Sequence, residues 1–288
     1  MIFTIMGVNT GIIRQNDKFA ALALKIKHPK NKQSLLFFPL VALKDLLLAL
    51  EHRLTLQAKS AGKAKEQQRK AIDSASKKMH SHIPVMEVSE LQNADIGRRV
   101  NKVELHKNDD SELIFIFSLH CGENLKLSIN EHQIELLVQA IIYAINNADL
   151  RDIAISLSSF LDFLPLYDAE FLADGNIAYD TYTQDEWKQA LFIHHHALVY
   201  HYTDEKGEVQ YGGTVIKTRS IADGDEMASI SRRVLDYSHR LNKLKGKPCQ
   251  VSVKTLSTNK QHRLTLEQCM RSLQVVQQQV KQKITEQE

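Results

Sequence analysis

The sequence predicts an α+β fold made of repeated units, each with antiparallel strands that lead into an amphipathic helix. The clearest unit has strand-like runs at residues 113–119 and 125–129, which are joined by a Gly-Glu-Asn turn and followed by a helix over residues 131–146. The same order recurs elsewhere in the chain. Only eleven glycines and five prolines occur in 288 residues, which favours regular elements over long loops.

The first unit occupies the beginning of the chain. Strands are predicted at residues 3–13, 19–27 and 34–38, and a helix starts after Pro39, where proline's missing N–H costs nothing. Its apolar face consists of Leu43, Leu46, Leu47, Leu50 and Leu54. Helix-forming residues continue beyond this face. They predict a long helical arm near residues 40–82, which would measure about 65 Å if it were one unbroken helix.

Capping signatures begin two later helices. Ser128 and Glu131 form an S-x-x-E box after the clearest strand pair, and Thr265 and Gln268 occupy the same two positions in the last unit. In that last unit we expect two strands between residues 251 and 266. The apolar stripes of the two helices are Ile134, Leu137, Val138, Ile141, Ile142 and Ile145 in the first, and Cys269, Leu273, Val276 and Val280 in the second.

A further unit precedes the last one. Residues 191–202 and 208–219 predict a long hairpin, and Asp223 and Glu226 mark the start of the helix that follows. The apolar stripe of this helix is Met227, Ile230, Val234 and Leu241. Four such units in one chain are consistent with duplication, and equally with strand–strand–helix triplets that arise by chance in an α+β protein.

Charge and composition divide the chain into three regions. Residues 1–150 form an N-terminal α+β region with two strand–helix units and a basic helical arm at 57–82. Residues 151–189 form an acidic, aromatic connector, since positions 161–187 hold seven acidic residues and no basic one. Residues 190–288 form a C-terminal α+β region with two strand–strand–helix units.

The basic helical arm is the strongest functional signal in the sequence. Between residues 57 and 82, seven Lys and Arg side chains stand against two acidic ones, and aromatic residues are absent. Lys-rich helices bind phosphate backbones without reading base sequence. The alternative is a solvated helix that binds nothing. The candidate nucleic-acid contacts are Lys59, Lys63, Lys65, Arg69, Lys70, Lys77 and Lys78.

Three consecutive histidines suggest a second kind of site. On a strand, His194 and His196 point to one face and could supply two metal ligands, with further ligands from acidic residues at 168–186. This is the basis of an alternative function, a metal-dependent enzyme. The competing interpretation is a half-exposed hairpin surface or a dimer surface, because no spacing rule links those acidic residues to the strand.

Other motifs that would specify an activity are absent. The sequence contains no Walker motif, GxGxxG, GxSxG or HExxH string, so no cofactor is predicted. The cysteines, Cys121, Cys249 and Cys269, have no CxxC spacing and suggest reduced thiols in a cytosolic protein. Residues 1–13 do not resemble a signal peptide, and the longest apolar stretch is too short to cross a bilayer. We therefore expect a cytoplasmic protein with no membrane partner.

Four short segments resemble an uncharacterised enterobacterial family, the YjeJ-like proteins. They are Leu-Asp-Phe-Leu-Pro at 161–165, Glu-Trp-Lys at 186–188, Val-Gln-Tyr at 209–211 and Leu-Thr-Leu-Glu-Gln-Cys at 264–269. The resemblance covers most of the chain and implies a bacterial, cytoplasmic protein. It transfers no activity and no site residue, because none of the segments is a catalytic motif.

The sequence as a whole predicts a non-enzymatic, cytosolic, bacterial binding or adaptor protein of unknown specificity. We expect a protein partner, and nucleic acid as a second class of partner that would be contacted through the basic arm. We also expect a homodimer, because the Ala- and Gln-rich part of the arm would permit pairing of helices between two copies.

Overall fold

The computed structural model describes residues 2–60, 65–109, 111–204, 207–220, 224–257 and 264–286. The chain forms two compact units, Met1–Leu161 and Asp162–Glu288. In the first unit the elements are β1 (Ile2–Thr4), β2 (Gly7–Gln15), β3 (Lys18–Lys27), β4 (Gln33–Phe38), α1 (Leu40–Ser60), α2 (Lys65–His80), α3 (Val88–Gln92), β5 (Val100–Asn108), β6 (Glu112–Leu119), β7 (Asn124–Asn130), α4 (Ile134–Asn147) and α5 (Arg151–Asp162), which ends at the boundary.

The first unit contains two sheets, and helix α1 packs at its centre. Strands β2, β3 and β4 form an antiparallel meander, and the second sheet has the order β1-β7-β6-β5, in which only the β1–β7 pair is parallel. Helix α1 packs against strands of both sheets and against α4. The rings of Phe38 and Phe117 meet edge to face, with centroids 5.3 Å apart. The apolar residues on all sides of α1, from Leu46 to Leu50, are therefore buried.

The second unit is one antiparallel sheet with a helix on each face. Its elements are β8 (Phe163–Phe171), β9 (Ile177–Thr181), α6 (Glu186–Leu191), β10 (His194–Thr203), β11 (Val209–Thr218), α7 (Gly224–Tyr237), β12 (Gln250–Ser257) and α8 (Leu266–Thr285). The sheet order is β12-β10-β11-β8-β9. Met227 and Ile230 of α7 pack on Leu198 of β10.

Two adjacent glycines in β11 show how closely the helical layers approach the sheet. A Cβ atom at Gly212 would lie 2.5 Å from Leu241, and one at Gly213 would lie 3.1 Å from Leu273 of α8. Adjacent residues of a strand point to opposite faces. The segment after α7 therefore covers one face of the sheet and α8 covers the other.

The predicted α+β class and the recurring order of antiparallel strands followed by a helix are confirmed. Residues 3–13 form two strands rather than one, since the chain changes sheets between β1 and β2. The predicted connector contributes β8, β9 and α6, so the boundary between the units falls after Leu161 rather than at residues 150 and 190. The expected hairpin at β10 and β11 is present.

The capping predictions had different outcomes. Thr265 and Gln268 form the predicted capping box of α8. At the start of α4, the box is instead Asn130 with Gln133, in a 3-10 turn at Glu131–Gln133. Ser128 cannot serve there because its hydroxyl donates a 2.6 Å hydrogen bond to Glu112 across the sheet. Asp223 and the strand expected around residue 263 lie outside the described residues, apart from Leu264–Thr265, which are not in a strand, and Leu266, which begins α8.

Candidate functional site

Helix α2 carries most of the predicted basic arm and is held to the first unit along one side. Met79 is 1% exposed and Ile72 is half-buried. The helix contacts β2 and the 3-10 turn at Glu131–Gln133. Spacing of seven residues places Ile72 and Met79 on the same side of the helix. The opposite side is therefore left to face solvent.

The arm is not one straight helix. Gln57 near the end of α1 donates a 3.1 Å hydrogen bond to the carbonyl of Glu131, in the same turn that α2 contacts. Leu54 of α1 and Ile72 of α2 line a common cavity of about 250 Å³. Helix α2 therefore returns beside α1, so residues 40–82 are not the single unbroken helix for which the length of about 65 Å was calculated.

The segment after α2 is fixed by a close backbone contact. A Cβ atom at Gly7 would lie 2.1 Å from the carbonyl oxygen of His82, so only glycine fits there. The Asn9 side-chain amide donates a 3.0 Å hydrogen bond to the Pro84 carbonyl. These two contacts attach the end of α2 to the edge strand β2.

The exposed side of α2 is basic. Arg69, Lys70, Lys77 and Lys78 are exposed, and we call these four residues the α2 basic face. Arg69 and Lys78 lie on its two flanks, and Arg69 borders the cavity that Ile72 also lines. Lys70 and Lys77 are seven residues apart and share one side of the helix. Lys70 forms an ion pair with Glu66 at 2.9 Å, and both groups are well solvated.

Of the other three predicted nucleic-acid contacts, the structure describes the side chain of one. Lys59 is exposed near the end of α1. Lys65 is the first residue of α2, and its side chain is not among those described. Lys63 lies outside the described residues. The structure thus brings four of the seven predicted side chains together on one helix.

An apolar groove lies beside the end of α2. It has a volume of about 430 Å³ and runs between β2, α2 and α4. Ile83 and Tyr143 line it and are 47% and 68% exposed. Tyr143 was missed by the sequence analysis because it is on α4, far from the arm in the chain. The sequence did contain one signal for its exposure, since Tyr143 lies outside the predicted apolar stripe of α4.

The three consecutive histidines of the second unit are buried, in contrast to the exposed residues of the α2 basic face. His194, His195 and His196 are 8%, 4% and 1% exposed, so they are buried rather than half-exposed. They belong to β10, which is paired with a strand on each side. The layers on both faces of the sheet leave this part of β10 without a solvent-facing side.

His196 uses both of its ring nitrogens within the core. Nε2 lies 2.9 Å from Thr218 Oγ1, and that hydroxyl donates its own proton to the Ser220 carbonyl. Nε2 must therefore carry the proton, and Nδ1 accepts from Thr255 Oγ1 at 3.2 Å. Burial, with a smaller contribution from His194, lowers the pKa of His196 to about 4. A metal would need the Nδ1 lone pair that Thr255 occupies.

The acidic residues that were candidate partners of the histidines are engaged elsewhere. Asp168 is buried and accepts hydrogen bonds from the hydroxyls of Tyr182 and Ser238. Asp180 accepts from Arg240, and Asp185 pairs with Lys188 at 3.2 Å. Within the described ranges, no group of three His, Cys, Asp or Glu residues is arranged to hold a metal ion. The geometry therefore gives the metal-site prediction no support.

The three cysteines differ in their exposure. Cys121 is exposed, Cys249 is half-buried and Cys269 is buried in the stripe of α8. Burial raises the pKa of the Cys269 thiol to about 11, which keeps it protonated. Among the described residues, no helix is both long enough and apolar enough to span a membrane.

Comparison with known proteins gives two matches. The model of the family described as YjeJ-like matches residues 1–283. A curated protein described as "Uncharacterized protein YjeJ", from Escherichia coli (strain K12), is 50% identical over 273 residues, which are 95% of this chain and 94% of that protein. No solved structure matches the chain.

Proposed function

We propose that this chain, which belongs to the YjeJ-like family, is a non-enzymatic, cytosolic binding protein that contacts nucleic acid through the α2 basic face. The observation that carries the proposal is the two-sided character of α2. One side is anchored through Met79 and Ile72. Lys70 and Lys77 are exposed on the opposite side of the same fixed helix, and Arg69 and Lys78 are exposed on its two flanks.

The physical basis is the release of counterions from a phosphate backbone. Each cation that neutralises a phosphate releases condensed counterions, so affinity falls steeply as salt rises. The slope of log K against log salt is about −0.9 per phosphate contact on duplex DNA and about −0.7 on single strands. Two to four phosphate contacts through this face therefore predict a slope between about −1.5 and −3.5. Binding of this kind would be independent of base sequence.

Tyr143 supports a preference for single strands. Bases of single-stranded nucleic acid stack on exposed aromatic rings, and such stacking contributes about 1–3 kcal/mol per base. The ring of Tyr143 is exposed at the groove that also borders the end of α2. A strand that follows the α2 basic face toward His80 would reach this ring. Duplex DNA, with its bases stacked internally, would not benefit.

The test is fluorescence anisotropy with labelled single- and double-stranded DNA and RNA, at low and at physiological salt. The main variant carries Arg69→Gln, Lys70→Gln, Lys77→Gln and Lys78→Gln. We expect it to lose binding while the melting temperature stays within about 2 °C, since exposed charges contribute little to stability. A second variant, Tyr143→Ala, should reduce single-strand affinity and leave duplex affinity unchanged.

A matched control removes four exposed lysines from other surfaces, through Lys18→Gln, Lys30→Gln, Lys32→Gln and Lys254→Gln. The control changes net charge equally, so any effect of total charge would appear in both proteins. The proposal fails if the α2 variant binds like wild type, or if the two variants lose affinity equally. If wild type binds no nucleic acid at physiological salt, the proposal fails, and protein partners are then tested by pull-down.

The proposal includes a homodimer, which sedimentation equilibrium can test separately. Ala- and Gln-rich helices can pair between copies, and α2 is partly of that composition. A mass of 32.8 kDa at micromolar concentration would show a monomer and remove this part of the proposal.

A further inference from the structure

The second unit contains a cavity that the proposed function does not use. It has a volume of about 570 Å³ and lies between α7, the strands β10 and β12, and the loop at residues 244–249. Small-molecule sites in proteins are typically cavities of about 300–1,000 Å³ with apolar walls and a few polar groups. The size of this cavity falls within that range.

The inner wall of the cavity is apolar. Tyr200, Leu235 and Leu244 line it and are at most 6% exposed. The Tyr200 hydroxyl donates a 2.7 Å hydrogen bond to the Ser231 carbonyl, so its polar atom is already satisfied within the protein. Tyr200 therefore presents the carbon atoms of its ring, and not its hydroxyl, to the cavity. A ligand that enters to this depth must have an apolar body.

The mouth of the same cavity is basic. Arg232, Lys245 and Lys247 line it and are exposed. Lys245 is paired with Asp236 at 2.6 Å. Arg232 and Lys247 form no ion pair with any residue that the structure describes. Two cations thus stand at the entrance of an apolar cavity with their charges uncompensated by those neighbours.

We propose that this cavity binds a small amphipathic anion, a molecule with an apolar body and one carboxylate or phosphate group. The apolar body would lie against Tyr200, Leu235 and Leu244, and the anionic group would pair with Arg232 and Lys247. Arginine favours such a group because its planar fork can donate two parallel hydrogen bonds to it. The assignment is independent of the α2 basic face, which lies in the other unit.

Cys249 supplies a readout inside the cavity. Its thiol lines the cavity and is half-buried, and burial raises its pKa. In a Cys121→Ser background, modification by Ellman's reagent would report Cys249, since Cys269 is buried. A bound ligand should slow this reaction. Decanoate and decyl phosphate are the anionic probes, and they distinguish the carboxylate from the phosphate group.

Two neutral or cationic probes test the role of charge. Decanol has the same chain without an anionic group, and decyltrimethylammonium carries the opposite charge. We expect at least one anionic probe to protect Cys249 at concentrations about tenfold below decanol, because a charge-assisted hydrogen bond contributes about one order of magnitude in affinity. We expect decyltrimethylammonium not to protect it. Equal protection by all four probes would overturn the proposal.

Variants locate the effect within the cavity. Arg232→Gln with Lys247→Gln should weaken anion binding about tenfold or more and leave decanol unchanged. The control, Lys254→Gln with Arg271→Gln, removes two exposed cations that do not line the cavity and should bind like wild type. Ala228→Leu should narrow the cavity and weaken protection by every probe. Thermal melting checks that both variants are folded. If both the Arg232→Gln, Lys247→Gln variant and the Ala228→Leu variant still bind the anionic probes like wild type, the probes bind outside this cavity and the proposal is wrong.

Discussion

The α2 basic face and the histidines of β10 are the two clusters of polar side chains that the sequence predicts as sites, and they differ in solvent exposure. All four residues of the α2 basic face are exposed. All three histidines are buried, and His196 is hydrogen-bonded on both ring nitrogens. One cluster is available to a partner, whereas the other is part of the core.

The difference comes from the neighbours of each element rather than from its own residues. Strand β10 lies between two strands and beneath helical layers on both faces, so none of its three histidines has water to face. Helix α2 packs on one side only. The burial of ligand-type residues in a strand therefore depends on what covers the strand, which its own residues do not reveal.

The largest expected contrast between the two regions is in stability. His196→Ala should lower the free energy of unfolding by about 2–4 kcal/mol, because it leaves a cavity and removes the buried partner of Thr218 and Thr255. His80→Ala, at an exposed position of α2, should change it by less than about 0.5 kcal/mol. Urea titration measures both. Equal effects would show that the two regions do not differ as described.

A smaller effect tests the anchored side of α2. Met79→Ala should cost about 2–3 kcal/mol, since the side chain is 1% exposed and its removal leaves a void against β2 and α4. Hydrogen exchange should then show faster exchange across α2 than across α1. The matched substitution Lys77→Ala, on the exposed side, should have almost no effect. Unchanged stability in Met79→Ala would mean that α2 is not held by this residue.

The dependence of stability on pH separates the two clusters further. In the unfolded chain a histidine takes up a proton near pH 6.5, whereas His196 in the folded protein does so only near pH 4. The unfolded state binds more protons in this window, so the free energy of unfolding falls as pH is lowered from about 6.5 to about 4. His196→Gln should flatten this slope relative to wild type. A slope identical in both proteins would contradict the assignment.

The smallest effect concerns the pair at the surface of α2. Glu66→Gln removes the ion pair with Lys70 and should cost about 0.3–0.5 kcal/mol at low salt, and less at high salt. The same change frees Lys70 and should strengthen binding of nucleic acid slightly. Anisotropy at two salt concentrations measures the second effect. Weaker binding by Glu66→Gln would indicate that Glu66, and not Lys70, contacts the ligand.

The helical stripes could be predicted from sequence because their signal is local. Ile134, Leu137, Val138, Ile141 and Ile145 recur at helical spacing and are buried in α4, and the predicted stripes of α7 and α8 are also buried. Leu241, predicted as part of the α7 stripe, is buried but lies in the segment after α7 ends at Tyr237. A period of 3.6 residues is set by backbone geometry alone. Ile142 is the exception in α4, since it is 45% exposed at the margin of the stripe.

The return of α2 could not be predicted, because it depends on contacts between distant residues. Its anchored side offers only Ile72 and Met79 as large apolar residues, which is a weak pattern by itself. The contact that fixes its end joins Gly7 to His82, and nothing near either residue signals the other. The burial of the histidines was missed for the same reason, since it follows from the order of strands in the sheet.

The parallel pairing of β1 with β7 has a consequence for the time course of folding. Ile2 is paired with Lys126, so β1 has no partner in its sheet until the ribosome has added more than a hundred further residues. Strands β2, β3 and β4, by contrast, pair with immediate neighbours in the chain. Contacts between distant residues form slowly because a long loop must close first. The β2-β3-β4 meander should therefore form during synthesis, and β1 should join the four-stranded sheet last.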